Sequence, residues 1–261
     1  MADKFAIVTG ASTGIGLELA KLAAGDGYDL LIVADEPEIE AAAQQLKQHG
    51  NDVQSVQADL STTDGVDTLL SKAAGRKVDL LCANAGRGLG RAFLDQDVGD
   101  WTKVVNTNVL GTTYLLQKVL KDMVARNDGK VLVTGSIAGY IPGSFQAVYN
   151  GTKAYVDSFV AAIQNEIKDS DGVTLTNLMP GPVDTEFFER ADMMDTSVGT
   201  DPKKSDPADV AKDGYDAVMK GEASIVSGLK NKIQTTVANV TPNAVLAEQH
   251  RHMAEPGTAK D

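Results

Sequence analysis

The sequence predicts one α/β domain, a doubly wound parallel β-sheet of about seven strands flanked by helices. Three observations predict it. Short apolar runs alternate with longer helical patterns along most of the 261 residues. The runs are continuously apolar rather than alternating, as in strands buried on both faces. Strands separated by helical segments join through right-handed crossovers into a parallel sheet. No linker rich in Gly, Ser or Pro precedes the segment 196–207, and there is no internal repeat. Sheet and helices are expected over roughly 1–230, and 1–261 is read as one unit.

The elements follow in order. Phe5 to Thr9 reads as the first strand, and the apolar spacing from Ile15 to Ala23 as the first helix. Leu30 to Val33 is the second strand and Glu38 to His49 an Ala/Gln-rich helix. Val53 to Ala58 and Thr62 to Ala74 are the third pair, and Val78 to Ala83 is the fourth strand. A Gly-rich loop follows, then one long helix from about Val98 to Arg126. Lys130 to Thr134 is the fifth strand, Ala147 to Lys168 a helix, Val173 to Met179 the sixth strand and Ile225 to Ser227 a seventh. The end from about Glu255, with Pro256 and Gly257, is expected to be a flexible tail.

Composition narrows the function classes. Lys and Arg number 24 against 36 Asp and Glu, a formal charge of -12. That field repels nucleic acid and anionic membranes, so neither is expected as a partner. Cys82 is the single cysteine, which excludes an internal disulfide, and the three histidines form no metal-ligand spacing with it. The N-terminus lacks the long apolar stretch of a signal peptide, and the longest plainly apolar run, Leu30 to Ala34, is too short to cross a bilayer. A cytoplasmic location is the expectation.

The first strand runs into Thr9-Gly10-Ala11-Ser12-Thr13-Gly14-Ile15-Gly16. Glycines at 10, 14 and 16 permit positive φ and close approach of backbone to a ligand. The following helix opens with unpaired N–H groups and a positive dipole end, which favour a pyrophosphate. An acidic residue at the end of the second strand would bind the adenosine ribose hydroxyls, and Asp35 and Glu36 stand there. No Arg or Lys lies between Lys21 and Lys47. A carboxylate with no local cation repels a 2′-phosphate, which favours NAD over NADP. Asp59 and Leu60, at the end of the third strand, suit the adenine amino group and ring, although Asp59 reads equally as a helix N-cap.

Tyr149 and Lys153 are four apart and share a helix face. A free phenol ionises near pH ~10, and an adjacent ammonium stabilises the phenolate. Bringing it to near neutrality takes about 4 kcal/mol of differential interaction. Tyr114 and Lys118 repeat the spacing, so spacing alone decides nothing. Context does: Ser136 stands thirteen residues before Tyr149, just past the fifth strand, where its hydroxyl can hold a carbonyl oxygen. The residue thirteen before Tyr114 is Trp101.

Thr-Gly-x-x-x-Gly-x-Gly, Asn84-Ala85-Gly86, Asn108, Ser136, Tyr149, Lys153 and Pro180-Gly181 occur in that order. Together they resemble the short-chain dehydrogenase/reductase superfamily over about residues 4–230. The resemblance implies a single Rossmann-type domain, assembled as a homodimer or homotetramer through the long fourth and fifth helices. It implies Tyr149 as general acid/base, and Lys153 as the residue that lowers its pKa and holds the nicotinamide ribose. Ser136 would orient the substrate oxygen, and Asn108 would anchor a water in a proton relay behind Lys153; Asn108 also reads as a helix-kink residue. Asn84, Ala85 and Gly86 would border the adenosine ribose. Pro180, Gly181, Val183 and Thr185 would line the nicotinamide, Thr185 reading alternatively as a helix N-cap. Two departures stand out. The family's first Asn is Ala83 here, and Asp35 stands where many relatives in this branch carry Arg.

The expected reaction is secondary alcohol plus NAD to ketone plus NADH, in either direction. The segment 186–205, with Phe187, Phe188, Met193 and Met194, has the length of a lid over substrate. Its apolar side chains suit an apolar or mixed substrate, or else a surface helix packed on the core. Arg87 reads as a solvated loop residue or as the partner of an acidic substrate group. Two alternatives are an NADPH-dependent 3-ketoacyl reductase, disfavoured by Thr13 and Asp35, and a non-catalytic dinucleotide-sensing regulator, disfavoured by retention of Tyr149 and Lys153.

Overall fold

The computed structural model describes residues 4–259. Met1 to Asp3, Lys260 and Asp261, which the 1–261 span and the reading of the N-terminus include, lie outside the described residues. The apolar runs form β1 (Phe5–Thr9), β2 (Asp29–Ala34), β3 (Val53–Gln57), β4 (Leu80–Ala83), β5 (Gly129–Thr134), β6 (Val173–Met179) and β7 (Ser224–Val226). They make one seven-stranded sheet in the order β3-β2-β1-β4-β5-β6-β7. Every neighbouring pair is parallel. This is the doubly wound sheet that the sequence predicts.

The helices are α1 (Gly14–Gly25), α2 (Ile39–Leu46), α3 (Thr63–Lys72), α4 (Val98–Val105), α5 (Thr112–Arg126), α6 (Ala147–Glu166), α7 (Phe187–Arg190), α8 (Pro207–Lys220), α9 (Leu229–Ala238) and α10 (Asn243–Ala254). Successive side chains of a strand point to opposite faces, so each strand feeds two cores. Val8, Ile32 and Leu132 pack with Leu19 of α1 and Val210 of α8 on one face. Ile7, Leu31 and Val131 pack with Leu69 of α3, Leu116 of α5 and Val160 of α6 on the other. Each fully buried Leu, Ile or Val contributes about 1.5–3 kcal/mol. The chain leaves β1 toward β2 on one side, and β4 lies on the other. The crevice beyond their carboxyl ends is therefore the topological switch point, where such sheets bind ligands.

Cys82, in the middle of that sheet, has no exposed surface. Burial pushes its thiol up to about 12. Only the thiolate reacts, so an aromatic disulfide reagent is expected to label the native chain far more slowly than the denatured chain. Comparable rates would show that the sheet opens readily at β4.

Four expectations need revision. The single helix expected from Val98 to Arg126 is interrupted by a wide π-helical turn at Asn106–Gly111. There a Cβ on Gly111 would lie 2.0 Å from the Leu60 carbonyl oxygen. The helix expected to reach His49 gives way to a tighter 3-10 turn at Lys47–His49, and Gly50 stops it at φ +87. Two helices, α9 and α10, follow β7 where none was expected. Finally, the end expected to be loose from Glu255 carries hydrogen bonds as far as it is described. The Ser197 hydroxyl donates to the Thr258 carbonyl at 2.7 Å, and the Ala259 N–H to the Asp195 carbonyl at 3.0 Å.

Candidate active site

The turn after β1 shows why glycine is required there. Gly10 and Gly14 have φ of +63 and +57. A Cβ on Gly16 would lie 2.0 Å from the Gly10 carbonyl oxygen. Without side chains, α1 starts close against the strand, and its first amides, which have no partner within the helix, are free for a ligand. Ser12, Thr13 and Ile15 line the same cleft, whose volume is about 970 Å³. The Thr9 hydroxyl oxygen accepts from the N–H groups of Asn84 and Ala85, each at 2.9 Å. Asn84 spends its side chain on the scaffold: it donates to the Thr9 carbonyl at 3.2 Å and accepts from the Thr134 hydroxyl at 3.1 Å.

Asp35 and Glu36 stand at the end of β2 and line the cleft, but not alone. Arg87, from the loop after β4, donates to Asp35. The Lys103 ammonium, from α4, lies 3.8 Å from Asp35 and 3.6 Å from Asp59. Glu36 pairs with Arg190 at 2.7 Å and accepts from the Ser12 hydroxyl at 3.2 Å. The premise that Asp35 has no cation near it holds only along the sequence; the fold supplies cations from distant segments. Arg87 is accordingly a partly exposed loop residue paired with Asp35, and is not aimed at the reacting end. Asp59 accepts from the Ser61 N–H at 2.9 Å, and Thr62 caps α3, accepting from the Gly65 N–H at 3.0 Å. Leu60 is buried beside Asp59.

At the other end of the cleft, Ser136 follows β5 and opens a 3-10 turn, Ile137–Tyr140. Its hydroxyl oxygen accepts from the Ala138 N–H at 3.1 Å. Tyr149 and Lys153 occupy successive turns of α6. Lys153 is buried and donates to the Thr134 carbonyl at 2.7 Å, with its nitrogen 6.0 Å from the centre of the Tyr149 ring. Burial pulls the Lys153 ammonium down to about 8, and the charge of Asp157 opposes this. Burial pushes the Tyr149 phenol up to about 12; the Ser136 hydroxyl works against the rise, and Asp157 adds to it. The phenol thus starts above its free value, and bringing it to neutrality takes about 7 kcal/mol rather than about 4. Tyr114, the decoy, instead donates to Asp67 at 3.0 Å, with Lys118 over its ring at 5.0 Å. Neither residue of that pair lines the cleft.

Asn108 lies in the π-helical turn and is almost fully buried. Its Oδ1 accepts from the Arg87 N–H at 2.8 Å, and its Nδ2 donates to the Arg87 carbonyl and the Thr152 hydroxyl, both at 2.9 Å. Its side chain therefore fastens the loop after Gly86 to α6. A Cβ on Gly86 itself would sit 3.5 Å from the Lys153 nitrogen.

Beyond β6, Pro180 and Gly181 line the cleft, and Val183 bridges Ser205. The Asp184 N–H donates to the Ser205 carbonyl at 2.9 Å, so the segment between leaves and returns at one point. The Thr185 hydroxyl oxygen accepts from the Phe187 N–H at 3.3 Å, and its methyl group covers Gly14. The Phe187 ring lies 5.1 Å from the Tyr149 ring. It also rests on bare backbone, since a Cβ on Gly88 would be 2.3 Å from its Cζ. Phe188 and Met193 are buried with Ala191 and Ala254 in a small core of the segment's own, while Met194 is half exposed. The substrate reading and the packing reading thus divide within one segment. Sequence reasoning missed Asn231 and Gln234 of α9 and His250 and Met253 of α10, which line the same cleft. The His250 Nδ1 lies 2.8 Å from the Ser144 carbonyl, and burial lowers its pKa.

Residues 4–195 match the family model described as short chain dehydrogenase. An uncharacterized oxidoreductase of Staphylococcus epidermidis is 30% identical over 193 residues, covering 73% of this chain and 82% of the relative. A short-chain dehydrogenase of Sphingobium yanoikuyae, solved in complex with NADPH, is similar in structure with a TM-score of 0.82 at 23% identity, covering 94% of this chain and 95% of that one. A short-chain dehydrogenase/reductase of Burkholderia phymatum, solved in complex with NAD, has a TM-score of 0.81 at 23% identity, covering 90% and 92%. The sheet order and the family match agree, and the chain belongs to the short-chain dehydrogenase/reductase superfamily.

Proposed function

We propose that the chain is a nicotinamide-dependent oxidoreductase that interconverts a secondary alcohol and a ketone, with NAD(H) preferred to NADP(H). The observation that carries this reading is the convergence of Ser136, Tyr149 and buried Lys153 on one cleft that begins at the bare glycine turn. The residues suit a dinucleotide: a Cβ would fill the turn at Gly10 and Gly16, and Asp35 offers acceptors for ribose hydroxyls. When bound, the nicotinamide gives or takes the hydride. Gly10, Gly14, Gly16 and the α1 amides would hold the pyrophosphate. Asp59, Leu60, Asn84, Ala85 and Gly86 would border the adenosine, and Pro180, Gly181, Val183 and Thr185 the nicotinamide.

The protein's share is position and a proton. Ser136 holds the substrate oxygen, Tyr149 gives or takes its proton, and Lys153 places a cation behind the phenol. Asn108 keeps the relay end of the site in place by tying the Gly86 loop to α6. Phe187, against the Tyr149 ring, favours a substrate with apolar surface beside its carbonyl, and Phe188 supports it from the lid core. Leu110 and Tyr155 are exposed on the face of the π-helical turn and α6, which supports assembly as a homodimer or homotetramer. No helix among the described residues is long and apolar enough to cross a membrane, in keeping with a small-molecule enzyme of the cytoplasm.

A panel of ketones and secondary alcohols, each with NADH, NADPH or the oxidised forms, tests the reading by absorbance of the reduced nicotinamide. Turnover of some ketones with NADH is expected. Failure of both reduced coenzymes to bind would overturn the reading.

A further inference from the structure

We propose that Asp157 is a positioning residue of the proton-transfer group, fixing the Ser136 turn and holding an anion in line with the Tyr149–Lys153 pair. Asp157 follows Lys153 by four residues as Lys153 follows Tyr149, so the three lie in one row on α6. The inference rests on the proton-transfer reading above and adds a third ionisable group to it.

The carboxyl group is built into the site. Its Oδ1 accepts from the Asn177 side-chain amide of β6 at 2.9 Å. Its Oδ2 is sealed from solvent and has no hydrogen-bond partner among the described residues. Bare backbone receives both oxygens: a Cβ on Gly135 would lie 2.0 Å from Oδ1, and one on Gly139 would lie 2.3 Å from Oδ2. Gly135 precedes Ser136, and Gly139 lies within the turn that Ser136 opens. The carboxyl group is therefore wedged under the residue that would hold the substrate oxygen, and the Ser136 N–H helps keep it ionised.

A largely buried carboxylate with no ion pair among the described residues is unfavourable, and groups perturbed in this way cluster at functional sites. Burial pushes Asp157 up to about 6, while the Asn177 amide, the Lys153 ammonium and the Ser136 N–H pull it back. It is thus ionised at neutral pH. The groups facing it are Lys153 and Tyr149 on its own helix, the Ser136 N–H and the Tyr140 phenol on the turn, and the Asn177 amide on β6. An anion beside a group that can lose a proton, whether an ammonium or a phenol, delays that loss. Asp157 keeps Lys153 protonated to a higher pH than burial alone would allow, and adds to the burial that keeps the Tyr149 phenol neutral. Loss of the anion lets both give up protons sooner, so the sign of the change is the same for either residue.

The test uses Asp157→Asn and Asp157→Ser, which both remove the charge but differ in packing. The phenolate ultraviolet absorbance of each is titrated against its own Tyr149→Phe counterpart, with and without NADH. Where a ketone is turned over, the pH profile of its reduction is read as well. The expected result is that both variants move the Tyr149 transition, and the alkaline limb of reduction, down by about half a pH unit or more, while Asp157→Glu stays near the parent. A smaller shift in both variants, or an upward one, overturns the proposal, even if their rates fall, because fixing the turn alone would slow turnover at every pH alike. The phenol titration needs no substrate. If Tyr149→Phe proves fully active, the assignment of Tyr149 as the proton-transfer group fails, and the effect of Asp157 on the phenol is still measured.

Discussion

Tyr149→Phe is expected to lower turnover by about 10²- to 10⁴-fold, the usual range for loss of a positioned acid or base, while NADH binding changes little. The variant removes one oxygen and keeps the ring that packs against Phe187. No other group at that end of the cleft can take over. Lys153 directs its ammonium at the Thr134 carbonyl, and the Ser136 hydroxyl has neither the acidity nor a relay of its own. The pH dependence follows from the two shifts. With the phenol up at about 12 and the ammonium down at about 8, both carry their protons at neutral pH. Reduction of a ketone needs the phenolic proton and the nearby cation, so its rate should be flat below the Lys153 transition and fall above it. Stopped-flow measurement of NADH oxidation for both proteins checks this. Near-normal turnover in the variant would end the assignment of Tyr149.

The difference between Tyr149 and Tyr114 illustrates what the sequence discloses. The two share a spacing to lysine, and the residue thirteen positions back separates the one that lines the cleft from the one that does not, because a serine just past a strand of a parallel sheet lies at the ligand-binding edge. Strands were legible for a related reason: a run buried on both faces has no alternation to blur it. α9 carried a legible signal that sequence reasoning missed: Leu229, Ile233 and Val237 recur at helical spacing. What the sequence hid was its orientation: those three face solvent, while Asn231 and Thr235 are buried. The π-helical turn showed only in the reading of Asn108 as a helix-kink residue; its form did not, since Asn108 takes its place through bonds to Arg87 and Thr152, each far away in sequence. The same distance hid the cations beside Asp35.

Those cations sharpen the second large effect, on coenzyme choice. Asp35→Arg is expected to shift the ratio of NADH to NADPH dissociation constants by roughly 100-fold toward NADPH. One part is loss of a charged acceptor for the ribose hydroxyls, a hydrogen bond of about 1.5–3 kcal/mol. The other is relief of repulsion at a 2′-phosphate, so that a total near 3 kcal/mol gives the two decades. In the parent, Arg87 and Lys103 offset the carboxylate, so its discrimination against NADPH should be modest rather than absolute. This also gives the NADPH-dependent reading its one supporting observation. Arg87→Ala should act in the opposite direction to Asp35→Arg, weakening NADPH several-fold more than NADH, because the carboxylate is then left unopposed. Quenching of protein fluorescence by each coenzyme at fixed ionic strength measures both variants, and salt must be held constant because exposed charges are screened. If Asp35→Arg leaves the ratio where it was, Asp35 does not face the ribose, and the preference for NAD loses its basis whatever Arg87 does.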